Sequence, residues 1–263
     1  MKTAAKLAVK LKTPGQIDQM RRAGRIVRLV LDRIGGMVAP GVTTTALNAE
    51  AERLCVDEGA TCLFKGVPGR GKAPPFPGAI CASINEEVVH GVPSDRALAE
   101  GDIISVDFGA RLDGWCGDAA ETFAVGEPDG PARRLMDVTR HALEIAVEMI
   151  RPGERWSAVA GAMQEYVESN GFSVVREFVG HGIGKAMHED PKVPNFVSRE
   201  LLANDIVLEE GMTLAVEPMV NLGSDDVQCA PDGWTIRTKD RRPSAHFEHT
   251  IAVRPGGADV LTS

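Results

Sequence analysis

An α+β fold built from two related halves is what this sequence predicts, on three observations. Two helical stretches precede a block of strands, and the same order returns in the second half, which sets helices apart from mostly antiparallel strands. Several positions match at a fixed offset of 112: Leu31/Leu143, Met37/Met149, Pro40/Pro152, Gly41/Gly153, Ala46/Ala158 and Gly59/Gly171. Finally, Gly101-Asp102-Ile103-Ile104-Ser105-Val106-Asp107 and Gly211-Met212-Thr213-Leu214-Ala215-Val216-Glu217 both end an apolar run on a carboxylate. A His-Gly pair precedes each (His90-Gly91, His181-Gly182) and an Asp-Gly-Trp follows each (Asp113-Gly114-Trp115, Asp232-Gly233-Trp234). Two such halves meet at a pseudo-twofold seam, where acids from both would collect. Duplicated packing accounts for the Gly and Leu matches, but not for acids in apolar strands.

The elements follow in order. Thr13-Pro14-Gly15-Gln16 is a capping box with proline at the first helical position. Ile17, Met20, Gly24, Val27, Leu31 and Ile34 recur at helical spacing from there until Gly35-Gly36 stops the helix. A second helix is expected from about 45 to 58, ending at Gly59. Strands 103–110 and 117–125 flank the turn dipeptide Asp113-Gly114 and should form a hairpin. The second half predicts helices near 131–150 and 156–169, with Pro152-Gly153 between them, then strands near 172–179, 212–220 and 245–254. The whole is expected to be one catalytic domain over 1–263, with a short tail at 1–10 and the repeat at about 13–125 and 131–254. The Gly/Pro loop at 65–78 is not a linker, because repeat elements continue on both sides.

Composition narrows the function. A chain of 263 residues that is 43% hydrophobic buries a substantial core. Its net charge of −8 argues against a nucleic-acid surface, and no specific DNA partner is expected. No apolar run approaches the roughly 20 residues that span a bilayer. The stretch 1–12 carries four lysines but no apolar signal core. Cys55, Cys62, Cys81, Cys116 and Cys229 are scattered, with no Cys-x-x-Cys, and read as the reduced thiols of a cytoplasmic protein.

Asp107 and Asp118 lie eleven apart across the expected hairpin. A two-residue turn makes them diagonal neighbours, and a register moved by one pair sets them directly opposite; either way they share a face, at roughly 5–8 Å. Two such carboxylates repel, so a positive group should sit between them. Glu217 and Glu248 likewise stand inside runs that read as buried strand. Any one of these acids could be an edge residue facing water, but four distributed over two repeats are poorly explained that way. Four carboxylates and one neutral imidazole balance two divalent cations and leave positions open for water. Water bridging such cations becomes hydroxide near neutral pH, which is hydrolytic chemistry. His181, between glycines, is the candidate imidazole; His90 and His188 are further polar candidates. His246 shares the face of Glu248 by strand parity, His249 points away, and His141 belongs to a helix surface.

At this point the residues resemble a known family. Phe76-Pro77-Gly78-Ala79-Ile80-Cys81-Ala82-Ser83-Ile84-Asn85-Glu86-Glu87-Val88-Val89-His90-Gly91-Val92-Pro93 is similar to the signature stretch of type I methionine aminopeptidases. Asp107 and Asp118, Gly180-His181-Gly182-Ile183-Gly184, Val216-Glu217-Pro218-Met219 and Phe247-Glu248-His249-Thr250 continue the pattern in order, over about 11–261. The resemblance implies the pita-bread α+β fold, with a central mostly antiparallel sheet and a dinuclear centre holding Co, Mn, Fe or Zn. Its implied ligands are Asp107, Asp118, His181, Glu217 and Glu248, with Asp118 and Glu248 bridging. It further implies that a metal-bridged hydroxide attacks the first peptide bond of nascent proteins and peptides with N-terminal Met and a small second residue. Glu217 would move the proton, His188 would bind the carbonyl oxygen and His90 would position substrate or shuttle a proton. The implied methionine pocket draws on Cys62, Phe76, Cys81, Met187, His188 and Trp234.

Two departures concern the pocket lining. Tyr166 is the single tyrosine, so Phe76 is expected to replace one of the family's pocket tyrosines, and the loop 65–78 is longer than the usual connection. Its cations Lys65, Arg70 and Lys72 suggest an anionic contact such as RNA at the ribosome exit. Two other readings share parts of the pattern: an Xaa-Pro aminopeptidase or prolidase of the same fold, and a non-catalytic binding module. The 76–93 stretch suits the first less well, and the full set of five ligand types argues against the second.

Overall fold

The computed structural model describes residues 9–263 apart from Arg70 and Lys72, so most of the short tail and two of the loop's three cations lie outside the described residues. The first half runs α1 (Pro14–Gly35), α2 (Thr44–Asp57), β1 (Thr61–Cys62), β2 (Cys81–Ile84), β3 (Glu87–Val89), β4 (Ile103–Leu112) and β5 (Trp115–Ala124). The second runs α3 (Gly130–Met149), α4 (Trp156–Ser169), β6 (Ser173–Val174), β7 (Gly180–Gly182), β8 (Glu189–Val193), α5 (Arg199–Ala203), β9 (Thr213–Val216) and β10 (Met219–Asn221). It closes with β11 (Val227–Cys229), β12 (Ile236–Thr238), β13 (Ser244–His246), β14 (His249–Arg254) and β15 (Gly257–Val260).

The helices start where side chains can satisfy their free N–H groups. Thr13 and Gln16 form the capping box of α1 in both directions, and Ile17, Met20, Val27, Leu31 and Ile34 are buried along one face. Thr43 caps α2 and Asp129 caps α3, each through the backbone N–H three residues on. The apolar faces feed two cores. One gathers α1 and α2 against β2 and β4, with Val27, Leu31, Leu47, Ile104 and Phe108 fully buried. The other gathers α3 and α4 against β9, β13 and β14, around Trp156, Leu214 and Ile251. Trp156 donates its ring N–H to the Pro194 carbonyl at 2.7 Å, so this large side chain is buried without an unpaired polar atom.

The β4–β5 hairpin is closed by Leu112 opposite Trp115. Asp113 and Gly114 occupy the left-handed region, at φ 50° and 82°, as a two-residue type I′ turn requires. In the second half the structure corrects the expected strands. The stretch 172–179 contributes only the two residues of β6, and the runs at 212–220 and 245–254 are each interrupted. β9 pairs with β14 (Val216 opposite His249), and β10 pairs with β13 (Met219 opposite His246). The two pairings belong to different sheets. An antiparallel ribbon therefore changes sheets at one point, with Glu217-Pro218 on one side and Phe247-Glu248 on the other. Pro218 lacks the N–H a central ladder needs, which explains a break there. Glu217 and Glu248 thus stand beside strands, at a shared break, and not within them. Ala120 of β5 bridges to Glu248 (Glu248 N to Ala120 O, 2.9 Å), which brings the first-half hairpin onto the same point. Among the described residues no helix is long and apolar enough to cross a membrane.

Candidate metal centre

The register places Asp107 opposite Ala120 and Asp118 opposite Gly109, so the two acids are diagonal neighbours on one face of the hairpin. Asp118 is fixed from behind: its N–H donates to Thr250 Oγ1 at 2.9 Å, and that hydroxyl donates to the Asp118 carbonyl at 2.8 Å. One hydroxyl of the second half therefore holds the backbone of an acid in the first.

His181 lies in β7 and pairs with Ala215 of β9. Its glycine neighbours are there for the strands beside it: a Cβ on Gly180 would meet the Ala215 carbonyl oxygen at 2.4 Å, and one on Gly182 the Asp190 oxygen at 2.3 Å. His181 Nδ1 lies 2.9 Å from the Gly182 carbonyl, which can only accept, so Nδ1 carries the proton and Nε2 presents its lone pair inward. That Nε2 is 3.6 Å from Glu217 Oε1. Donor atoms of Asp118, His181 and Glu248 all lie within 4.8 Å of one another.

The electrostatics show what this cluster lacks. Burial, followed by Asp118 and Glu217, pushes the Asp107 carboxyl well above the usual range. Burial raises Asp118 to about 7, and burial with the neighbouring acids raises Glu217 and Glu248. Burial also lowers His181 to about 4 and His246 to about 3, so both imidazoles are neutral. Asp107 Oδ1, Asp118 Oδ1 and Glu248 Oε1 are buried without a hydrogen-bond partner. Among the described residues no Lys or Arg is ion-paired with any of the four acids. Unpartnered carboxylate oxygens around a neutral imidazole nitrogen are a donor set suited to a hard or borderline divalent cation.

The cluster forms the floor of a cavity of about 1130 Å³. Phe76, Cys81, Met187 and Trp234 line it, and His90 and His188 stand on its wall. The His188 ring meets that of His181 at 4.3 Å between centroids, and His90 packs edge-on against Phe178. His90 follows β3 in the left-handed region, at φ 58°. Burial pushes the Cys81 thiol well up, so it packs as a neutral apolar group.

The structure does not bring Cys62 to the cavity. The chain bends after β1, so Cys62 packs with the first-half core that contains Cys55, while Phe64 takes the place at the wall. Phe64 and Val67 line the cavity and were missed in the sequence, while His246, placed on the face of Glu248 by strand parity, stands beside the acids. A short apolar run after a two-residue strand carries no periodicity to show which side chain turns inward.

The long loop folds back on itself, with Gly66 N–H to Phe76 O and Phe76 N–H to Val67 O both at 2.8 Å. It is latched by the Trp234 ring N–H on the Pro74 carbonyl at 2.8 Å and by edge-on packing of Phe76 on Trp234. Lys65 is paired with Glu52. Through Val67, Pro68 and Phe76 the loop contributes to the cavity wall.

A cavity that ends in an imidazole and four acids with no Lys or Arg partner among the described residues, at the seam of two repeated α+β halves, is the arrangement of a metallopeptidase. The model of metallopeptidase family M24 matches residues 18–255. Methionine aminopeptidase 1 of Bacillus subtilis is 45% identical over 95% of this chain and 98% of its own length. The Escherichia coli methionine aminopeptidase is 42% identical over 97% of this chain and 94% of its own. The crystal structure of methionine aminopeptidase from Thermotoga maritima superposes with a TM-score of 0.91 at 42% identity, over 97% of this chain and 99% of that one. A prolidase from Pyrococcus furiosus shares the fold at a TM-score of 0.76 and 21% identity, with 96% of this chain covering 65% of that one. The chain belongs to metallopeptidase family M24, among its methionine aminopeptidases, and has their pita-bread fold.

Proposed function

We propose that the protein removes the N-terminal methionine from peptides and nascent proteins whose second residue is small. The observation that carries this reading is an apolar cavity whose floor is the cluster of Asp107, Asp118, His181, Glu217 and Glu248. Two divalent cations (Co, Mn, Fe or Zn) held by those five residues would supply Lewis acidity, activating water and polarising the scissile carbonyl. The chain's own groups do the rest. Phe64, Phe76, Cys81, Met187 and Trp234 take the flexible thioether side chain, which packs well against aromatic faces. Glu217, more open than Glu248 at 14% against 3% side-chain exposure, accepts the proton of the attacking water and returns it to the leaving amine. His188 donates to the carbonyl oxygen as charge develops on it, and His90 orients the peptide. The prolidase likeness is one of fold alone.

The test is release of free methionine from Met-Ala-Ser and Met-Leu-Ser with each metal in turn. The first should be cleaved at least ~10-fold faster, and failure of every metal to support release sinks the reading. His188→Ala should keep wild-type metal content while kcat falls about 10- to 1000-fold, the range for one transition-state donor. Loss of bound metal in that variant would show that the imidazole has another task.

All five cysteines are unpaired, which supports work in the reducing cytoplasm. The ribosome-exit contact suggested by the loop's cations rests on Arg70 and Lys72, outside the described residues. Shortening 67–75 should weaken methionine binding, because Val67 and Phe76 wall the cavity. A raised KM for Met-Ala-Ser checks this.

A further inference from the structure

His246 lies at the floor of the same cavity and has no part in the reaction outlined above. Its backbone is rigidly held: its N–H donates to Thr122 Oγ1 at 3.0 Å, that hydroxyl donates to its carbonyl at 2.8 Å, and Ser105 Oγ supports the hydroxyl at 2.8 Å. The residue is 2% exposed, and its Nε2 has no hydrogen-bond partner. That atom is 3.9 Å from Glu217 Oε2 and 3.9 Å from Glu248 Oε2. An unpartnered buried nitrogen is costly, so a task at the site is the physical reason to keep it there.

Two tasks suit an imidazole nitrogen between two carboxylates. As a lone pair it could bind a cation. His181 Nε2 already presents one such lone pair to the acids, and whether His246 adds a second is what a metal titration decides. As an N–H it would donate to one of two carboxylates, which in their ionised form only accept. At 3.9 Å no hydrogen bond exists yet, but one carboxylate torsion closes that gap. Glu248 is pinned at its backbone to Ala120 and its side chain is 3% exposed. Glu217 has its carbonyl held by Asn195 Nδ2 at 3.0 Å, while its more open side chain retains freedom.

We propose that His246 is a positioning residue whose Nε2–H donates to the Glu217 carboxylate and holds it on the path of the proton it carries. The proposal rests on the methionine-releasing reading above. His246→Leu removes the donor; His246→Gln keeps an amide N–H at similar reach. His246→Leu should lower kcat about 10- to 100-fold with KM for Met-Ala-Ser within about twofold, and His246→Gln should restore most of it. Metal affinity, titrated calorimetrically into the metal-free protein, should be unchanged in both. Independently of turnover, the ¹⁵N-resolved imidazole spectrum of the zinc-loaded wild type, in which the carboxylates are ionised, should show the His246 proton on Nε2. A tenfold loss of metal affinity in both variants makes His246 a ligand and overturns the proposal. So does wild-type turnover in both, or a bare Nε2 in the spectrum. If the Leu variant does not fold by circular dichroism, the Gln variant and the spectrum still decide. If the wild type releases no methionine, the functional reading fails, and the spectrum alone tests where the proton sits.

Discussion

Asp118→Asn is expected to lower methionine release by at least ~10²-fold and metal content with it, while making the metal-free protein harder to unfold. Both effects have one cause. Asp118 is buried among Asp107, Glu217 and Glu248 with no cation paired to it, and its carboxyl is raised to about 7. Its backbone is held by Thr250 whatever the side chain carries, so the amide keeps the local frame. The amide removes a charge that only a metal can balance. Metal analysis, kcat at saturating metal and thermal unfolding in chelator check the three parts. The companion variants Asp107→Asn, Glu217→Gln and Glu248→Gln should also lose activity, and near-wild-type turnover in any two of the four defeats the metal-centre reading.

The sign of the pH dependence follows from the same raised carboxyl. An unfolded aspartate titrates near ~3.9, so between there and about 7 the folded, metal-free protein keeps a proton that the unfolded chain has released. This contribution to stability is fully present below ~3.9, is lost as pH rises through about 7, and is flat above. A difference of that size corresponds to about 4 kcal/mol as an upper figure. In chelator the wild-type melting temperature should therefore fall as pH rises across this window, and Asp118→Asn should flatten the fall. Divalent cation should restore the wild type most at the alkaline end, since it binds only the folded state. A cation that stabilises the protein equally at pH 5 and pH 8 contradicts the assignment.

Local signals were read correctly where one local rule decides. The capping box at Thr13/Gln16, the turn at Asp113-Gly114 and the Gly-flanked helix ends all rest on chemistry within four residues, and the structure has them in place. The diagonal placement of Asp107 and Asp118 was one of two registers left open, and the two-residue turn selects it. The break at Glu217-Pro218 was not recognised, although Pro218 is its sequence signal, because apolar residues continue on both sides. The matching break at Phe247-Glu248 has no local signal: it exists because its partner strand leaves the sheet opposite it. Cys62 was misplaced for a similar reason, since the bend that turns it towards Cys55 depends on β4 beside it. His246 was recognised as sharing a face with Glu248, but parity alone cannot say that its nitrogen stands midway between two acids.

Gly182→Ala is expected to cost the centre its imidazole without touching a ligand. The added Cβ would stand 2.3 Å from the Asp190 carbonyl oxygen and 3.0 Å from that of Glu189, both backbone atoms of β8 that no rotamer change can move. Gly180→Ala meets the Ala215 oxygen of β9 at 2.4 Å, on the other side of the same strand. Either substitution must shift β7 away from a neighbour, and His181 sits between the two positions with its Nδ1 tied to the Gly182 carbonyl. A shift of a few tenths of an ångström is enough to spoil a donor set held this closely. Metal affinity should fall at least ~10-fold and kcat/KM at least ~10²-fold. The melting temperature should also drop, by about 2–4 °C for each kcal/mol lost in a chain of this size. Gly161→Ala is the control: on α4 its Cβ meets only Val197 Cγ2, at 3.4 Å. Alanine there favours the helix by roughly 1 kcal/mol, so activity should hold and the melting temperature should stay level or rise. Wild-type metal affinity in Gly182→Ala would mean that β7 can yield without moving His181, and that the glycines serve only the packing of the sheet.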